Sequence, residues 1–135
     1  MDHEEVGRYW DANAEAWTEL VRAGYDHYRD GLNTPAFLEM LPEVKDLSGL
    51  DIGCGEGHNT RLVAKRGARM TGVDISGTFV RHAVEAEQDE PLGIRYERAS
   101  AVDLPFEDAT FDFATAFMSL MDIPEVGLAL KEAFR

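Results

Sequence analysis

The chain has 135 residues, of which 44% are apolar and 29% charged, and this ordinary globular composition excludes an intrinsically disordered protein. Its formal net charge of −13 argues against a nucleic-acid partner, because phosphates are bound by Lys and Arg and here acidic residues outnumber basic ones by 26 to 13. No apolar run could span a bilayer, the acidic start differs from a secretory signal, and the single cysteine cannot form an internal disulfide, so we expect a cytoplasmic protein without membrane contact.

The first part of the chain predicts two helices. Apolar and aromatic residues recur at helical spacing over residues 3–22, which indicates an amphipathic helix. This aromatic stripe consists of Val6, Tyr9, Trp10, Trp17, Leu20 and Val21. We expect the stripe to pack on the rest of the domain. A second helix is predicted to begin at Thr34, as N-cap, and Pro35, and to end before Pro42. Residues 1–45 therefore form a predicted N-terminal helical cap.

From residue 46 onwards the pattern alternates between strand and helix. Strands are predicted near 48–52, 69–74, 94–98 and 111–117, and helices near 58–66, 77–87 and 124–134. Such alternation is typical of an α/β fold with a parallel sheet and helices on both faces. We therefore expect residues 46–135 to form one such domain.

A glycine-rich turn follows the first predicted strand. Gly53, Gly55 and Gly57 allow the backbone to turn tightly and to approach a ligand that a Cβ atom would displace. Asp74 closes the second strand about 20 residues later, where a carboxylate can accept hydrogen bonds from ribose hydroxyls. The two strand ends together predict a site for a nucleoside cofactor.

The glycine spacing separates two cofactor families. A dinucleotide-binding turn needs a small third residue where His58 stands, which disfavours a nicotinamide-dependent oxidoreductase. The spacing D-x-G-x-G-x-G resembles instead the first motif of the class I S-adenosylmethionine-dependent methyltransferases. Residues 73–76 are similar to their second motif, and residues 103–106 and 111–113 to the segment that leads into their fourth strand. The resemblance runs from residue 47 to the last residue and is closest to the small-molecule branch of that family.

The resemblance implies a set of residues that contact S-adenosylmethionine. They are Asp51, Gly53, Cys54, Gly55, Gly57, Asp74, Ile75, Ser100, Ala101 and Phe117. The backbone of residues 53–57 is expected along the methionine portion and the ribose. Asp51 would orient the amino end, Asp74 would hold the ribose hydroxyls, and Ile75 would pack on the adenine.

The remaining implied contacts lie after the third and fourth strands. Ser100 and Ala101 would meet the adenine edge, and the Phe117 carbonyl would accept a hydrogen bond from the ammonium group. An Asp is frequent in the family where Ser100 stands, and a hydroxyl can still bond the adenine amine. Family members also often close the pocket with an N-terminal segment, which offers a second interpretation of the aromatic residues Tyr9, Trp17, Tyr25 and Tyr28.

The resemblance implies a Rossmann-like, doubly wound sheet in the order 3-2-1-4, truncated after the fourth strand. Family members continue into further strands, so residues 111–117 would be an uncovered apolar edge. We therefore expect the chain to be an N-terminal portion, or to cover this edge by pairing with a second copy as a homo-oligomer.

The expected activity is transfer of a methyl group from S-adenosylmethionine to a small-molecule acceptor by in-line displacement. The alternative is a non-catalytic cofactor-binding module. Four groups could act as a general base: His27, His58, His82 and Asp122. The motif that marks transfer to amino groups of bases and proteins is absent. A nucleophilic role for Cys54 is disfavoured because no thiol-enzyme framework accompanies it, and the histidines show no metal-binding spacing.

Overall fold

The computed structural model describes residues 1–135. The helices are α1 (His3–Arg22), α2 (Thr34–Met40), α3 (His58–Lys65), α4 (Gly77–Asp89) and α5 (Val126–Phe134). The strands are β1 (Ser48–Ile52), β2 (Arg69–Asp74), β3 (Arg95–Arg98) and β4 (Phe113–Thr115). A π-helical turn at Arg29–Asn33 leads directly into α2, and a 3₁₀ turn at Leu120–Asp122 precedes α5. No helix combines the length and the apolar character needed to cross a membrane.

The four strands form one parallel sheet in the order β3-β2-β1-β4, which confirms the predicted fold class and strand order. Asp51 of β1 stands opposite Gly72 of β2 and Thr115 of β4. The carboxyl ends of β1 and β2 are neighbours, and the strand order reverses on the other side of β1, between β1 and β4. Ligands of open α/β sheets bind at the carboxyl ends of the strands beside such a switch point. The glycine turn follows β1 there, and Asp74 ends the adjacent β2.

Two apolar clusters cover the two faces of the sheet. Met70 and Val63 of α3 belong to the first cluster, and Val73 with Ala133 of α5 to the second. Met70 and Val73 point to opposite faces because they are an odd number of positions apart on one strand. Burial on both faces is complete over residues 49–52 of the central strand β1, whereas β3 at the edge is partly exposed. The division of the chain into an N-terminal helical cap, residues 1–45, and an α/β domain, residues 46–135, stays a prediction.

The predicted start of the second helix is wrong in one respect. Thr34 is not an N-cap, because the π-helical turn already continues into the helix through residues with helical backbone angles. The Thr34 side chain is buried instead, and its hydroxyl donates a hydrogen bond to Asn59 Oδ1 at 3.1 Å. The residue thus joins the N-terminal segment to α3, a role that the local sequence does not reveal.

The fourth strand is shorter than the predicted 111–117. Only Phe113–Thr115 is paired with β1 in the ladder. Just before it, the Asp112 N–H donates to the Ser48 carbonyl at 2.8 Å, and the Asp112 carboxylate accepts from the Ser48 N–H at 2.8 Å. Met118 has φ of 54° and ends the extended backbone on the other side. The long apolar edge expected from the sequence is therefore reduced to three residues.

The aromatic stripe of α1 faces the core only in part, through Val21 and through Trp10, which contacts Phe79. Tyr9 and Leu20 are 58% and 52% exposed, whereas the buried residues of α1 are small or slender. They are Gly7, Ala14, Thr18 and Val21. Small residues allow α1 to approach the domain closely, and α4 is its main neighbour. The expectation that the stripe packs on the domain is wrong for its most exposed members.

Candidate cofactor site

A cavity of about 470 Å³ opens at the carboxyl ends of β1 and β2, and α1 and the segment after β4 complete its walls. Its volume lies in the usual range for small-molecule sites. The cavity is lined by all the predicted cofactor residues except Gly57: Asp51, Gly53, Cys54, Gly55, Asp74, Ile75, Ser100, Ala101 and Phe117. Tertiary folding thus brings together residues that are up to 66 positions apart in the chain, counting from Asp51 to Phe117.

Asp74 joins the two motifs at the end of β2. Its Oδ2 accepts a hydrogen bond from the Gly55 N–H at 3.0 Å, and its Oδ1 accepts one from the Ser76 N–H at 2.9 Å. Burial raises the pKa of Asp74, against the two backbone donors, which favour the charged form. Each oxygen keeps lone-pair capacity toward the cavity. The carboxylate is therefore preorganised to accept further hydrogen bonds.

The three glycines of the turn do different things. A Cβ on Gly55, whose φ is 56°, would meet nothing within 4 Å and would project into free space. A Cβ on Gly57 would lie 2.6 Å from the Tyr96 hydroxyl, and one on Gly53 would lie 2.4 Å from Ser119 Cβ. Gly55 therefore leaves room for a ligand, whereas Gly57 leaves room for the packing of β3. Gly57 does not line the cavity, in contrast to the prediction.

Asp51 lies beneath the turn and is 3% exposed. Its two oxygens accept hydrogen bonds from the Thr60 hydroxyl at 2.5 Å and the Thr115 hydroxyl at 2.8 Å. These bonds connect β1 to α3 and β4. Burial raises the pKa of Asp51 despite both donors. Its predicted role at the amino end of the cofactor stays a prediction.

Cys54 is buried, and this burial, with the nearby Asp74 and Asp51 carboxylates, raises the pKa of its thiol well above the ordinary range. The thiol therefore stays protonated near neutral pH. A thiolate nucleophile at this position is disfavoured by its surroundings as well as by the sequence. The Cys54 side chain instead packs against Gly72. A Cβ atom added to Gly72 would lie 3.1 Å from Cys54 Cβ.

The end of the cavity near Ile75 is covered by α1. A Cβ on Gly7 would lie 2.7 Å from the Ile75 side chain, so this glycine lets α1 cross directly over it. Asp11 of α1 accepts hydrogen bonds from the Ser76 hydroxyl at 2.7 Å and the Thr78 N–H at 2.9 Å. These two donors lower the pKa of Asp11. The helix is thus fixed to the start of α4 by an acidic residue that carries no sequence signal.

Aromatic residues form part of the cavity wall. Trp10, Trp17 and Tyr28 line it, and Trp10 contacts Trp17 edge to face at a ring distance of 5.7 Å. Phe117 contacts Phe37 of α2 at 5.1 Å. The cap interpretation is therefore supported for Trp17 and Tyr28. Tyr9 and Tyr25 do not line the cavity.

Of the candidate general bases, His58 and Asp122 line the cavity, whereas His27 and His82 do not. Burial and the nearby Arg29 charge lower the pKa of His58, which favours its neutral form. His82 instead lies against Glu15 of α1, 3.1 Å from its carboxylate. No cluster of His, Cys, Asp and Glu side chains has the arrangement of a metal site.

Sequence reasoning also missed Arg29 and Glu56, which line the cavity and form an ion pair at 3.0 Å. Glu56 lies within the glycine motif, so the sequence placed it in the turn. The sequence did not indicate that Arg29 is its partner. Taken together, the open space at Gly55, the carboxylate of Asp74 and the mixed apolar and polar walls fit a nucleoside that carries an amino-acid tail.

The site is a cavity at the carboxyl ends of the strands of a parallel α/β sheet, which is where proteins of this class bind ligands. A sequence comparison identifies the family. The model of the family described as "Methyltransferase domain" matches residues 50–135. The chain therefore belongs to the methyltransferase domain family. Its fold is that of the class I S-adenosylmethionine-dependent methyltransferases.

Curated relatives agree with this family. The chain is 28% identical to a ubiquinone biosynthesis O-methyltransferase of Coxiella burnetii over 128 residues, covering 93% of this chain and 53% of the relative. It is 31% identical to the 27-O-demethylrifamycin SV methyltransferase of Amycolatopsis mediterranei, covering 97% and 53%. The chain thus spans about half the length of the curated relatives it matches.

Solved structures show the same fold. An S-adenosylmethionine-dependent methyltransferase of Mesorhizobium loti matches with a TM-score of 0.67 and 34% identity, over 76% of this chain and 48% of the other. The [4+2]-cyclase SpnF matches with a TM-score of 0.84 and 24% identity, over 98% and 55%. The likeness to SpnF concerns the fold alone. It shows that this fold also occurs in a protein that is named a cyclase and not a methyltransferase.

Proposed function

We propose that this chain binds S-adenosylmethionine in the cavity at the ends of β1 and β2, as the cofactor half of an enzyme that methylates a small molecule. The observation that carries the proposal is the carboxylate of Asp74. It is held by the N–H of Gly55 and faces a cavity into which Gly55 projects no side chain. A ribose placed there would meet a preformed acceptor beside open space.

When bound, the cofactor supplies a methyl group on a sulfonium, which is already a good leaving group. The protein has to position an acceptor and exclude water, which is catalysis by orientation. Asp74 would hold the ribose, Ile75 would pack on the adenine, and Trp10 and Trp17 of α1 would keep water from the cavity. His58 is the imidazole in the cavity wall with a lowered pKa, and it could accept a proton from a hydroxyl acceptor.

The names of several relatives support a hydroxyl acceptor, whereas a relative of Rickettsia bellii is named a C-methyltransferase. The relatives of Coxiella burnetii and Aspergillus sclerotiorum are named O-methyltransferases. The relative of Amycolatopsis mediterranei is named for 27-O-demethylrifamycin SV, a compound that lacks a methyl group on an oxygen. We therefore propose a hydroxyl group of a small organic molecule as the acceptor. The acidic surface of the chain, with its net charge of −13, agrees with a neutral or cationic acceptor better than with an anionic one.

Calorimetric titration of the 135-residue chain tests the cofactor. We expect saturable binding of S-adenosylmethionine and of S-adenosylhomocysteine, and none of NAD, because the glycine spacing leaves His58 where a dinucleotide turn needs a small residue. Saturation by NAD alone would reverse the assignment in favour of an oxidoreductase. Binding of neither would contradict the cofactor site altogether.

A non-catalytic binding module is the second candidate. The two candidates differ in turnover. Release of S-adenosylhomocysteine in the presence of a panel of phenols and catechols would identify an enzyme. Cofactor binding without turnover by this chain, together with turnover by a version extended at the C-terminus, would show that the described residues bind and that others complete the acceptor pocket.

We also propose that the chain on its own pairs with a second copy over the outer side of β4 and α5. α5 exposes Leu128 at 52% and Phe134 at 90%, next to the unpaired edge of β4. Uncovered apolar surface and strand edges favour association. Light scattering coupled to size exclusion should give twice the mass of one chain, and Phe134→Glu should shift the protein toward the monomer. A monodisperse wild-type monomer would contradict this proposal.

A further inference from the structure

The N-terminal segment contacts the glycine turn through one buried ion pair. Nη1 of Arg29, at the start of the π-helical turn, lies 3.0 Å from Oε1 of Glu56, which stands between Gly55 and Gly57. The two side chains are only 13% and 11% exposed. A pair this protected from water is screened much less by salt than a surface pair.

Arg29 is held in place on all sides. Its Nε lies 2.9 Å from Asp30 Oδ1, its Nη2 donates to the Val21 carbonyl at 3.3 Å, and its backbone N–H donates to Asp26 Oδ1 at 2.9 Å. Separate bonds join the N-terminal segment to α3 and its end: Thr34 donates to Asn59, and Arg66 donates to the Leu38 carbonyl. The guanidinium is therefore preorganised, and the glycine turn is fixed relative to the N-terminal segment through Glu56.

The charges that line the cavity are unequal. Five carboxylates line it, those of Asp26, Asp51, Glu56, Asp74 and Asp122, against the single guanidinium of Arg29 and the imidazoles of His3 and His58. Glu56 is the cavity carboxylate that contacts the Arg29 guanidinium, and its other oxygen lies 4.0 Å from Nε of the more exposed Arg22. Asp26 contacts the backbone N–H of Arg29 and not its guanidinium. Without Glu56, the guanidinium would face the cavity with Asp30 as its one direct carboxylate partner.

We propose that the Arg29–Glu56 pair has two functions in the cofactor site: Arg29 is a positioning residue that holds the glycine turn, and Glu56 sets the preference of the cavity for the cationic cofactor over its neutral product. The inference rests on the proposed function. S-adenosylmethionine carries a positive sulfonium, and S-adenosylhomocysteine an uncharged thioether. An unneutralised Arg29 repels the first and not the second, since Coulomb energies in a partly desolvated site remain appreciable over several ångströms.

The test measures dissociation constants for both molecules by calorimetry in the 135-residue chain and its variants. Glu56→Gln keeps an acceptor for Arg29 but removes the charge. It should weaken S-adenosylmethionine about tenfold and S-adenosylhomocysteine less than about threefold. Arg29→Gln should move the ratio of the two constants in the opposite direction, in favour of S-adenosylmethionine, by about threefold or more. Both shifts should depend only weakly on salt concentration, because the pair is largely protected from water.

Arg29→Lys separates position from charge. It keeps the charge and loses the planar fork, so the ratio of the two constants should stay within about twofold of wild type while the cofactor dissociates faster. The fluorescence of Trp10 and Trp17, which line the cavity, provides the signal for stopped-flow measurement of that rate. Arg61→Gln is the matched control, because Arg61 is 12% exposed and pairs with Glu87 outside the cavity. It should change neither the ratio nor the rate.

Thermal unfolding of each variant verifies that it is folded. If Glu56→Gln does not fold, the inference is tested by Arg29→Gln alone, for which the ratio of the two constants should shift in favour of S-adenosylmethionine. Equal weakening of both molecules in Glu56→Gln, or an unchanged ratio in both variants, overturns the inference while leaving the cofactor assignment intact. Failure of the wild-type chain to bind S-adenosylmethionine overturns the proposed function itself. The two failures are therefore distinguishable.

Discussion

Gly55→Val is expected to weaken binding of S-adenosylmethionine by at least about 100-fold, equivalent to about 2.7 kcal/mol. Two effects add at this position. The φ of 56° places Gly55 in the left-handed region, which a β-branched residue adopts only with strain. The new side chain would also project into the cavity, because nothing of the protein lies within 4 Å of an added Cβ. Calorimetric titration of the purified variant measures the loss.

The matched control for this variant is Gly93→Val. Gly93 has φ of 75° and open space around an added Cβ, and it lies outside the cavity wall, between α4 and β3. It should lower the midpoint of thermal unfolding through the same backbone strain while cofactor affinity stays near that of wild type. If Gly55→Val binds the cofactor as tightly as Gly93→Val does, the ligand does not lie against the glycine turn.

Asp74→Ala is expected to cost about 1.5 to 3 kcal/mol of cofactor binding, or about 10- to 150-fold in the dissociation constant. The variant removes the charged acceptor for both ribose hydroxyls. It also frees the N–H of Gly55, which lines the cavity and can bond to water there, and the N–H of Ser76, which is fully buried. We therefore expect a folded protein with a lower midpoint of thermal unfolding, which circular dichroism and thermal unfolding verify.

Asp103→Ala is the control for the loss of one negative charge, since Asp103 is exposed and does not line the cavity. Its affinity for S-adenosylmethionine should remain near the wild-type value. A further comparison uses adenosine and 2′-deoxyadenosine as ligands. Wild type should prefer adenosine, and Asp74→Ala should lose most of that preference. Unchanged affinity in Asp74→Ala would show that another residue binds the ribose.

The sequence predicted the central part of the site well because its signals are local. The glycine turn after β1 and the carboxylate after β2 each depend on a few consecutive residues, and parallel strands necessarily bring their carboxyl ends together. Asp74, Gly55, Ile75 and Ser100 accordingly line the cavity as predicted. Gly57 was misplaced because its conformation is visible in the sequence but its neighbour, Tyr96, is not.

The N-terminal segment was predicted less well. Helical spacing correctly located α1, but it did not indicate which face is buried, because a close approach to α4 needs the small Gly7 and Ala14 and not the large aromatic residues. Hydrophobic periodicity assumes that the largest apolar residues are buried. That assumption does not hold here, since Trp17 lines a cavity and Tyr9 is exposed.

By itself, the sequence determined the α/β class, the strand order that the family motifs imply and the position of the candidate cofactor site. These features follow from local backbone preferences and from the geometry that all parallel sheets share. Only the tertiary structure decided that β4 is three residues long, that Asp11 fixes α1 to α4, and that Arg29 contacts Glu56. Each of these depends on side chains that are distant in the chain, and their contact is a property of packing that no local pattern encodes.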